Sequence, residues 1–462
     1  MYSLIPNSKD FVFRFQIVKV CTVMLISTLI GYVLCIGGFF GIAILGLISG
    51  LVLLFVCLRL SYLMLIQIMI TAFFFLPFHY WPFLNIFRVI NPLTFLGSVL
   101  MMKSFLDKVT MNKGPWSRRF ENIDRIYFLF LCSAVISTLF AKSKLGAINW
   151  IYYSIVIGYV SFKVLAYIER IELMKIIKTL VVVGAICALE GIFEYSFKHS
   201  ILYPVFPGRL TSLLGHPLVN GMIFSILFPY CLFLYSQTKE KKFIGCALIF
   251  FIAIVLTQSR GSWFALTSGL FFVLLIAPVR VKIRLIIAII MVSTIISTVP
   301  LLRNTVFSRV REYEGQRYGS WNIRLKSIPV AVDIFKDKPF FGGGPFNSGR
   351  YKDEYATNIT LRKTSFENSY LGFLVDFGIV GCFLLFSIFF IVMARVVLAT
   401  RSHLSHGRAM YFVLWSLIVM SINLATFNFD SYRSFSFVVW LFMGLAFVLA
   451  TFREMPIKSE IL

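Results

Sequence analysis

Long apolar segments separated by short polar ones repeat along almost the whole chain. A transmembrane helix needs about 20 predominantly apolar residues, and fourteen segments meet that length approximately. They predict helices near 15–35, 38–57, 60–78, 88–105, 124–141, 148–167, 172–196, 217–236, 242–258, 261–278, 284–301, 376–397, 409–427 and 433–452. Prolines interrupt the third and fourth segments. The pattern therefore predicts an all-α polytopic membrane protein with about 12–14 transmembrane helices.

One long polar segment, residues 302–366, interrupts this pattern late in the chain and contains 12 Lys or Arg residues. Loops of this length without transmembrane character are usually functional. We therefore divide the chain into the first part of a transmembrane bundle (1–301), an extracytoplasmic loop (302–366) and the last part of the bundle (367–462). The loop is expected to cap an active site on the outer membrane face.

Charge predicts the orientation in the membrane. If the N-terminus is inside, 25 Lys or Arg residues fall on inner segments and only 7 on the short outer loops. This positive-inside bias predicts that both termini are cytoplasmic and that the long loop is outside. The net charge of +24 then reflects topology and implies no nucleic-acid partner. No small-residue cleavage site follows the first apolar segment, so no cleavable signal peptide is predicted.

Composition agrees with a membrane protein and excludes several function classes. Of the 462 residues, 59% are hydrophobic and 14% charged, whereas soluble domains have roughly 45–50% and 25%. All eight cysteines lie in apolar segments and no CxxC occurs, so neither a disulfide framework nor a zinc site is expected. No DxD, Walker A or GxSxG sequence is present. These absences argue against metal-dependent sugar-nucleotide chemistry, ATP hydrolysis and an α/β-hydrolase nucleophile.

Two arginines lie in short outer segments against the general charge bias. Arg209, in the segment PGRLTSLLGHPLVNG, is suited to bidentate binding of an anionic group such as a phosphate, and a snorkelling arginine is the alternative. Arg260 is the only charge in the tight turn TQSRGS between two apolar segments, a position where charge is usually functional. It could instead pin the hairpin to lipid headgroups. His216, before Pro217, is typical of a helix-entry cap.

The long loop and its end supply the remaining candidates. The segment Ser320-Trp321-Asn322-Ile323-Arg324 opens a helix predicted to run to about Lys336, and a glycine turn, KPFFGGGP, follows it. Arg324 could reach over the membrane-side site, or belong to a solvated amphipathic helix. Glu367, followed by Asn368, lies where the chain re-enters an apolar layer. A carboxylate there tends to have a raised pKa, which suits a general base, although a helix-start carboxylate favoured by the dipole is an equal alternative.

Taken together, these motifs resemble the O-antigen ligase and Wzy-type polysaccharide polymerase family. The segment from EGIFEYSFKHS to GHPLVNG is similar to the family's arginine and H-P-N-x-x-G region, and TQSRGS to its T-x-S-R-G turn. WNIR followed by KPFFGGGPFNS resembles the loop's arginine and P-x-x-G-x-G element. ENSYLGFLVDFGIVG resembles H-N-x-x-L … G-x-x-G. The resemblance covers roughly residues 180–385, and the order of the motifs is its most specific feature.

The resemblance implies transfer of a glycan from an undecaprenyl-pyrophosphate carrier to a sugar hydroxyl at the outer face of a bacterial plasma membrane. Glu367 and Arg260 would be catalytic, with no metal and no cofactor. The expected substrate-binding residues are Arg209, His216, Trp321, Arg324 and Asn368. The family usually has histidine where this chain has Glu367, which weakens a ligase assignment and leaves a polymerase with Glu367 as base.

Two alternatives stay open at this point. One is an O-antigen ligase that transfers finished polymer to lipid A core or another acceptor. The other is a flippase or transporter of lipid-linked oligosaccharides, which would predict charges deep within helices and internal repeats. The expected partners are the lipid-linked oligosaccharide, the lipid bilayer, and the flippase and chain-length regulator of the same pathway.

Overall fold

The computed structural model describes residues 50–75, 92–111, 114–117, 121–198, 208–311, 320–356, 366–401, 405–426 and 433–452. Within these ranges the chain is helical and contains no β-strand. The helices, numbered in chain order, are α1 (Gly50–Arg59), α2 (Tyr62–Phe75), α3 (Pro92–Met111), α4 (Glu121–Thr138), α5 (Lys144–Trp150), α6 (Ile157–Tyr167), α7 (Arg170–Phe197), α8 (Pro217–Thr238), α9 (Lys242–Leu256), α10 (Arg260–Ile276), α11 (Val279–Thr298), α12 (Pro300–Arg311), α13 (Ser320–Asp337), α14 (Ser348–Tyr355), α15 (Ser369–Thr400), α16 (Ser405–Thr426) and α17 (Arg433–Thr451).

The chain divides into two compact units, residues 1–65 and 66–462. The described part of the first unit, residues 50–65, consists of α1 and the start of α2. Every site discussed below belongs to the second unit.

Among the described residues, five helical segments are long and apolar enough to cross a membrane: Lys144–Tyr167, Arg170–Phe197, Pro217–Thr238, Ser369–Thr400 and Gly407–Thr426. The first of them joins α5 to α6 through a π-helical segment, Ile151–Val156. Five further apolar helices are shorter: α1, α2, α9, α10 and the segment Ser436–Thr451 of α17. The prediction of an all-α polytopic membrane protein is confirmed.

The predicted helices agree with the structure in position. Each predicted segment from 60–78 onwards overlaps a helix, whereas the segment 15–35 and most of 38–57 lie outside the described residues. The helix predicted from Ser320 to about Lys336 is α13. The largest difference concerns the segment predicted to begin at 376. The helix α15 begins seven residues earlier, at Ser369, and is broken at Gly378.

The helix α8 lies in the middle of the second unit. It packs against α7, α9, α10 and α16, and most of its surface is buried in the protein. A helix that is apolar on all sides is stable in such a position because it has no polar face to expose. The helix α16 also contacts α10 and α15. Residues 421–426, at its C-terminal end, contact Ser225 of α8, Gly261 and Ser262 of α10, and Tyr370 of α15.

The segment predicted as the long loop contributes helices of its own. Between α13 and α15, a small apolar core holds the loop helices on the bundle, and it consists of Ala331, Ile334, Tyr351, Phe366 and Val375. Because two of these residues lie on α13 and one on α14, both helices have a fixed position over the start of α15. The domain boundaries at 301 and 366 stay predictions.

Candidate active site

Glu367 and Arg324 form an ion pair at the start of α15. Arg324 Nη2 lies 3.1 Å from Glu367 Oε2 and also donates to the carbonyl oxygen of Thr426 at 3.0 Å. Side-chain exposure is 19% for Arg324 and 31% for Glu367, so a small molecule can reach the pair while bulk water screens it only partly. Arg324 Nε is buried and has no hydrogen-bond partner among the residues that the structure describes, which leaves it one donor for a ligand.

Arg260 is the first residue of α10 and is exposed. The next residue, Gly261, packs so tightly on α16 that a Cβ at this position would lie 2.5 Å from Thr426 Oγ1. Thr426 is also the residue that Arg324 contacts. The N-terminus of α10, which carries Arg260, and the guanidinium of Arg324 therefore both contact Thr426.

A buried polar network holds the turn TQSRGS in place. Ser262 donates to Asn423 Oδ1 at 3.1 Å, and Asn423 Nδ2 donates to Ser225 Oγ at 3.1 Å. Asn423 is 2% exposed, and it links α16 to α8 and α10. Gly221 on α8 lies against the same turn, since a Cβ there would come within 2.6 Å of Ser262 Oγ. The buried contacts of Ser262 with Asn423 and Gly221 therefore fix the turn that carries Arg260.

Arg209 is joined to the same turn on its other side. Arg209 Nε donates to the carbonyl of Thr257 at 3.0 Å, and the amide of Leu210 donates to the carbonyl of Leu256 at 2.9 Å. Gln258 Nε2 donates back to Gly208 at 2.5 Å. These bonds hold the half-buried Arg209 next to the turn that carries Arg260. The structure thus brings the Arg209 segment and the Arg260 turn together.

His216 is the N-cap of α8, where its Nδ1 accepts a hydrogen bond from the amide of Leu218 at 3.2 Å. Burial and the positive charge of Arg209 lower the pKa of His216 to about 4. The imidazole is therefore neutral at pH 7, as its role as acceptor requires. Proline at the following position begins the helix, because its missing N–H would be unbonded there in any case. Asn220, one turn on, is fully buried and bonds the loop carbonyl of Thr211.

Of the remaining predicted residues, the structure describes the side-chain contacts of Asn368 but only the backbone of Trp321. Asn368 is the N-cap of α15, and its side-chain oxygen accepts from the amides of Tyr370 at 2.9 Å and Leu371 at 3.3 Å. Trp321 lies in the first turn of α13, and its side chain is outside the described residues. The substrate-binding roles of Asn368, His216 and Trp321 stay predictions.

Helix ends add to the positive charge of the site. The N-termini of α8, α10 and α15 carry His216, Arg260 and Glu367–Asn368. A helix N-terminus carries roughly half a positive charge and presents unbonded N–H groups, which favours anions. The C-terminus of α16 has the opposite polarity, and its carbonyl at Thr426 binds Arg324. The Glu367 carboxylate and several positive groups are therefore joined through these helix ends, an arrangement that can bind an anionic ligand and accept a proton.

The glycine turn KPFFGGGP forms hydrogen bonds with the backbone of α15 at the point where that helix is broken. The amides of Gly343 and Gly344 donate to the carbonyls of Val375 at 2.7 Å and Asp376 at 3.0 Å, and the amide of Ile379 donates to Pro339 at 2.8 Å. Gly378 has φ +62° and ψ −166°, a backbone conformation that essentially only glycine adopts. The helix carbonyls and amides freed by the break are thus bonded by the turn.

Asp376, at this break, orients the helix α14. Its carboxylate accepts from the amides of Phe346 at 3.0 Å and Asn347 at 3.2 Å, just before α14 begins. Asn347 is the N-cap of α14, and its Oδ1 accepts from the amide of Ser143 at 3.0 Å. Asp376 lies within the motif ENSYLGFLVDFGIVG, but its sequence context gives no signal of this role.

Sequence reasoning also missed Lys352 on α14. This lysine is completely buried, and its Nζ lies 5.1 Å from the ring centroid of Phe366, the residue before Glu367. The sequence around it, RYKDEY, reads as a solvated surface and gives no signal of burial. Asn423 and Thr426 were missed as well, although a polar Asn within the apolar segment 409–427 is a recognisable signal.

Comparison with known proteins agrees with the geometry. Residues 245–386 match the family model of O-antigen ligases. This range contains the Arg260 turn, α13, α14, the glycine turn and Glu367, while Arg209 and His216 lie before it. No curated protein matches the chain. The resemblance to O-antigen ligases and Wzy-type polymerases is confirmed over this range, and it implies a glycosyl-transferring, multi-pass membrane protein of polysaccharide assembly.

Proposed function

We propose that this protein is a polysaccharide polymerase. It joins oligosaccharide repeat units carried on undecaprenyl pyrophosphate into a surface polysaccharide, such as an O-antigen, a capsule or an exopolysaccharide. The reaction takes place on the extracytoplasmic face of a bacterial plasma membrane. The observation that carries the proposal is the carboxylate of Glu367, held 3.1 Å from Arg324, whose guanidinium also bonds Thr426 beside the Arg260 turn.

The arginines stabilise the leaving group. When the glycosidic phosphate bond breaks, negative charge develops on the departing pyrophosphate, and fixed positive groups lower the energy of that transition state. Arg209, Arg260 and Arg324 supply this charge, together with the N-termini of α8, α10 and α15. All three arginines are oriented by backbone contacts or helix position, which reduces the reorganisation required during the reaction. In this proposal no metal ion is needed.

Glu367 acts as the general base. The acceptor sugar hydroxyl loses its proton to the Glu367 carboxylate while its oxygen forms a bond to the anomeric carbon of the donor. The bond between that carbon and the pyrophosphate oxygen breaks at the same time, so the configuration at the anomeric carbon is inverted. The partial burial of Glu367 limits competing water, and its contact with Arg324 fixes its orientation.

The prenyl chain of the carrier lies between helices. A narrow apolar cavity of about 80 Å³ begins beside Tyr370, three residues after Glu367, and its walls include Phe373, Phe386, Phe389, Trp440 and Met443. A cavity of this volume has room for only the few carbon atoms of the tail next to the reacting pyrophosphate, and not for a whole prenyl chain. The flippase and the chain-length regulator of the same pathway are the proposed protein partners.

The description of the matching family favours ligation as a second candidate function. In that case the same residues transfer finished polymer to lipid A core or another acceptor, and only the acceptor differs. Glu367 in place of the family's usual histidine is the feature of this chain that favours polymerisation.

The test is the length distribution of surface polysaccharide in a strain lacking the gene. The strain is complemented with wild type, Glu367→Gln, Arg260→Ala or Arg324→Ala, with membrane expression measured for each. We expect single lipid-linked repeats in the deletion strain, a full ladder with wild type, and at least a 100-fold loss of long chains with Glu367→Gln. Arg303→Ala, which removes an exposed arginine on α12, is the matched control and should restore the ladder.

Other outcomes would contradict the proposal in different ways. Full-length polymer that accumulates on its lipid carrier in the deletion strain would mean ligation. Repeat units trapped on the inner leaflet would mean transport. A normal ladder from both Arg260→Ala and Glu367→Gln at normal expression would exclude the proposed site.

A further inference from the structure

A cavity of about 520 Å³ lies between α4 and α6, and the proposed reaction does not use it. It lies near the start of α4, where Asp124 is one of the lining residues. Near the other end of α4, Ser137 donates to the carbonyl of Asp376 at 2.7 Å, at the break in α15. The two ends are roughly 20 Å apart along the helix. The cavity is large enough for a ligand of several hundred daltons and is distinct from the proposed active site.

One end of the cavity is charged. Lys163 of α6 is 1% exposed, and its Nζ lies 3.0 Å from Asp124 Oδ2. The hydroxyl of Tyr159 also donates to the Asp124 carboxylate. Arg125, the next residue of α4, lines the cavity too and is exposed. The described side chains that line the cavity therefore carry two positive charges and one negative charge.

The two helices run antiparallel along the cavity. Asp124 pairs with Lys163, whereas Tyr127, about one turn further along α4, stacks on Tyr159, which lies one turn earlier in α6. The ring centroids of the two tyrosines are 3.4 Å apart. Successive turns of α4 therefore lie opposite successively earlier turns of α6. All three charged lining residues consequently lie on the same side of the stacked tyrosines.

The other end of the cavity is apolar. Its lining residues beyond the tyrosine pair include Leu131 of α4 and Val156, which lies just before α6. Phe128 also lines the cavity and is 62% exposed, so an apolar ring borders the opening. Polarity therefore decreases along the cavity from the ion pair to the aliphatic residues. A molecule with a charged end and a hydrocarbon end matches this gradient.

The charged end lies close to the membrane boundary. Lys163 is about one turn from the end of the membrane-spanning segment Lys144–Tyr167. Trp116, in the short turn Pro115–Ser117, lines the cavity and is partly exposed. Tryptophan is enriched where the hydrocarbon meets the headgroups. The charges are thus at headgroup level, and the apolar end extends into the hydrocarbon region.

We propose that this cavity binds a membrane phospholipid with a net charge of −1, such as phosphatidylglycerol. The phosphate lies at Arg125 and Lys163, and one acyl chain follows Phe128, Leu131 and Val156. Lys163 keeps its bond to Asp124, and the one negative charge of the lipid balances the remaining positive charge. The basic residues predict that this end faces the cytoplasm, which assigns the lipid to the inner leaflet. The inference does not depend on the role of Glu367.

The test is a titration of purified full-length protein with phosphatidylglycerol in detergent. Native mass spectrometry measures the fraction of protein that carries a bound lipid at each concentration. Arg125→Gln removes the charge-assisted contact with the phosphate, so the Kd of the tightest bound lipid should rise about tenfold. Arg125 is exposed, so this variant should fold as wild type.

Arg401→Gln is the matched control. It removes an exposed arginine at the end of α15, on the same predicted side of the membrane and outside the cavity. Its Kd should equal that of wild type. An equal rise in Kd for Arg401→Gln and Arg125→Gln would show nonspecific attraction of anionic lipid and would overturn the inference.

Val156→Phe tests the apolar end. The larger side chain occupies part of the cavity, so binding of phosphatidylglycerol and of phosphatidylethanolamine should weaken by a similar factor. Arg125→Gln should instead remove the preference of wild type for phosphatidylglycerol, because only the anionic headgroup depends on the positive charge. The thermal midpoint of each variant without added lipid checks its folding. If Val156→Phe does not fold, Arg125→Gln and the headgroup comparison decide the question.

A soluble headgroup distinguishes a lipid from a free phosphate compound. Glycerophosphoglycerol has the phosphate of phosphatidylglycerol without its acyl chains. It should not bind detectably at the Kd of the lipid, because burial of the chain contributes to affinity. Equal affinity for glycerophosphoglycerol would mean a site for a soluble phosphate ester. Equal affinity of wild type for phosphatidylethanolamine and phosphatidylglycerol, or an unchanged Kd in Arg125→Gln, would exclude the proposed charge recognition.

Discussion

Several polar residues of the candidate site have a structural bond that would exist without any substrate. His216 and Asn368 cap α8 and α15, and Arg209 bonds the backbone of the Arg260 turn. A capping side chain contributes about 1 kcal/mol to its helix, so these residues are held in place before a ligand arrives. Arg324 differs from them, because its buried Nε has no partner among the described residues. At the scale of single residues, Arg324 is therefore the best candidate for direct contact with the leaving group.

His216 leads to a prediction about pH. Its pKa is lowered to about 4 in the folded protein by burial and Arg209, compared with about 6.5 in an unfolded chain. Between these values the unfolded state binds more protons than the folded state. The stability contributed by neutral His216 is therefore complete above pH 6.5 and is lost as the pH falls towards 4.

The measurement is the thermal midpoint in detergent from pH 7 to pH 4. His216→Asn keeps a capping side chain but cannot be protonated, so its midpoint should fall less steeply than that of wild type over this range. The difference should correspond to at most roughly 3 kcal/mol. Parallel curves for the two proteins would show that the neutral imidazole makes no contribution.

At the scale of elements, the break in α15 is the feature that determines how the helices of the site are arranged. The first nine residues of α15 and the remainder form two helical pieces that meet at Gly378, and the glycine turn after α13 fills the gap between them. The break supplies Asp376 to orient α14, and the first piece presents Glu367 and Asn368 at its N-terminus. A continuous helix from Ser369 onward would leave the glycine turn without these partners.

Gly378→Ala tests the importance of the break. Alanine at φ +62° and ψ −166° costs roughly 1–3 kcal/mol, and its Cβ would clash with the carbonyl oxygen of Phe340. We expect a lower thermal midpoint and loss of polymer ladders in the complemented strain. Gly349→Ala is the control, because this glycine lies in α14 with open space around it. Alanine should raise the stability of that helix slightly. Wild-type behaviour of Gly378→Ala would mean that the break is not required.

At the scale of the whole molecule, the motifs lie at one end of the bundle. The N-termini of α8, α10 and α15 and the C-terminus of α16 carry the site, and α13 and α14 cover it. The ion pair between Lys178 of α7 and Glu240, at 3.1 Å, lies just after the C-terminus of α8, whereas His216 lies at the N-terminus of that helix. Distribution of basic residues along the sequence predicts that the Glu367 end faces outward.

Cysteine labelling in intact cells tests this orientation. Lys326→Cys places a thiol at an exposed position of α13, and Lys241→Cys places one at an exposed position before α9. A membrane-impermeant maleimide should label the first variant in whole cells and the second only after the cells are permeabilised. The native cysteines lie in apolar segments and should react little. Labelling of Lys241→Cys alone in intact cells would invert the topology and move the proposed reaction to the cytoplasm.

The sequence determined the helices and the identity of most candidate residues. Apolar runs of about 20 residues become membrane helices whatever their neighbours are, because backbone polar groups in lipid must be bonded within the segment. The order of the arginine and glycine motifs around them was sufficient to suggest the family. Arg209, Arg260 and Glu367 were visible for the same reason, since an isolated charge next to an apolar segment stands out in the sequence.

Only the tertiary structure decided how these residues meet. Thr426 binds Arg324 and Gly261 from the end of a helix that is 102 residues away from Arg324 in sequence. Lys352 reads as a surface residue until α14 is packed on α13 and α15. The break in α15 at Gly378 likewise depends on a glycine turn that lies about thirty residues earlier in the sequence and bonds the broken backbone. Burial and long-range hydrogen bonds depend on which helices become neighbours, and a pattern along one chain does not contain that information.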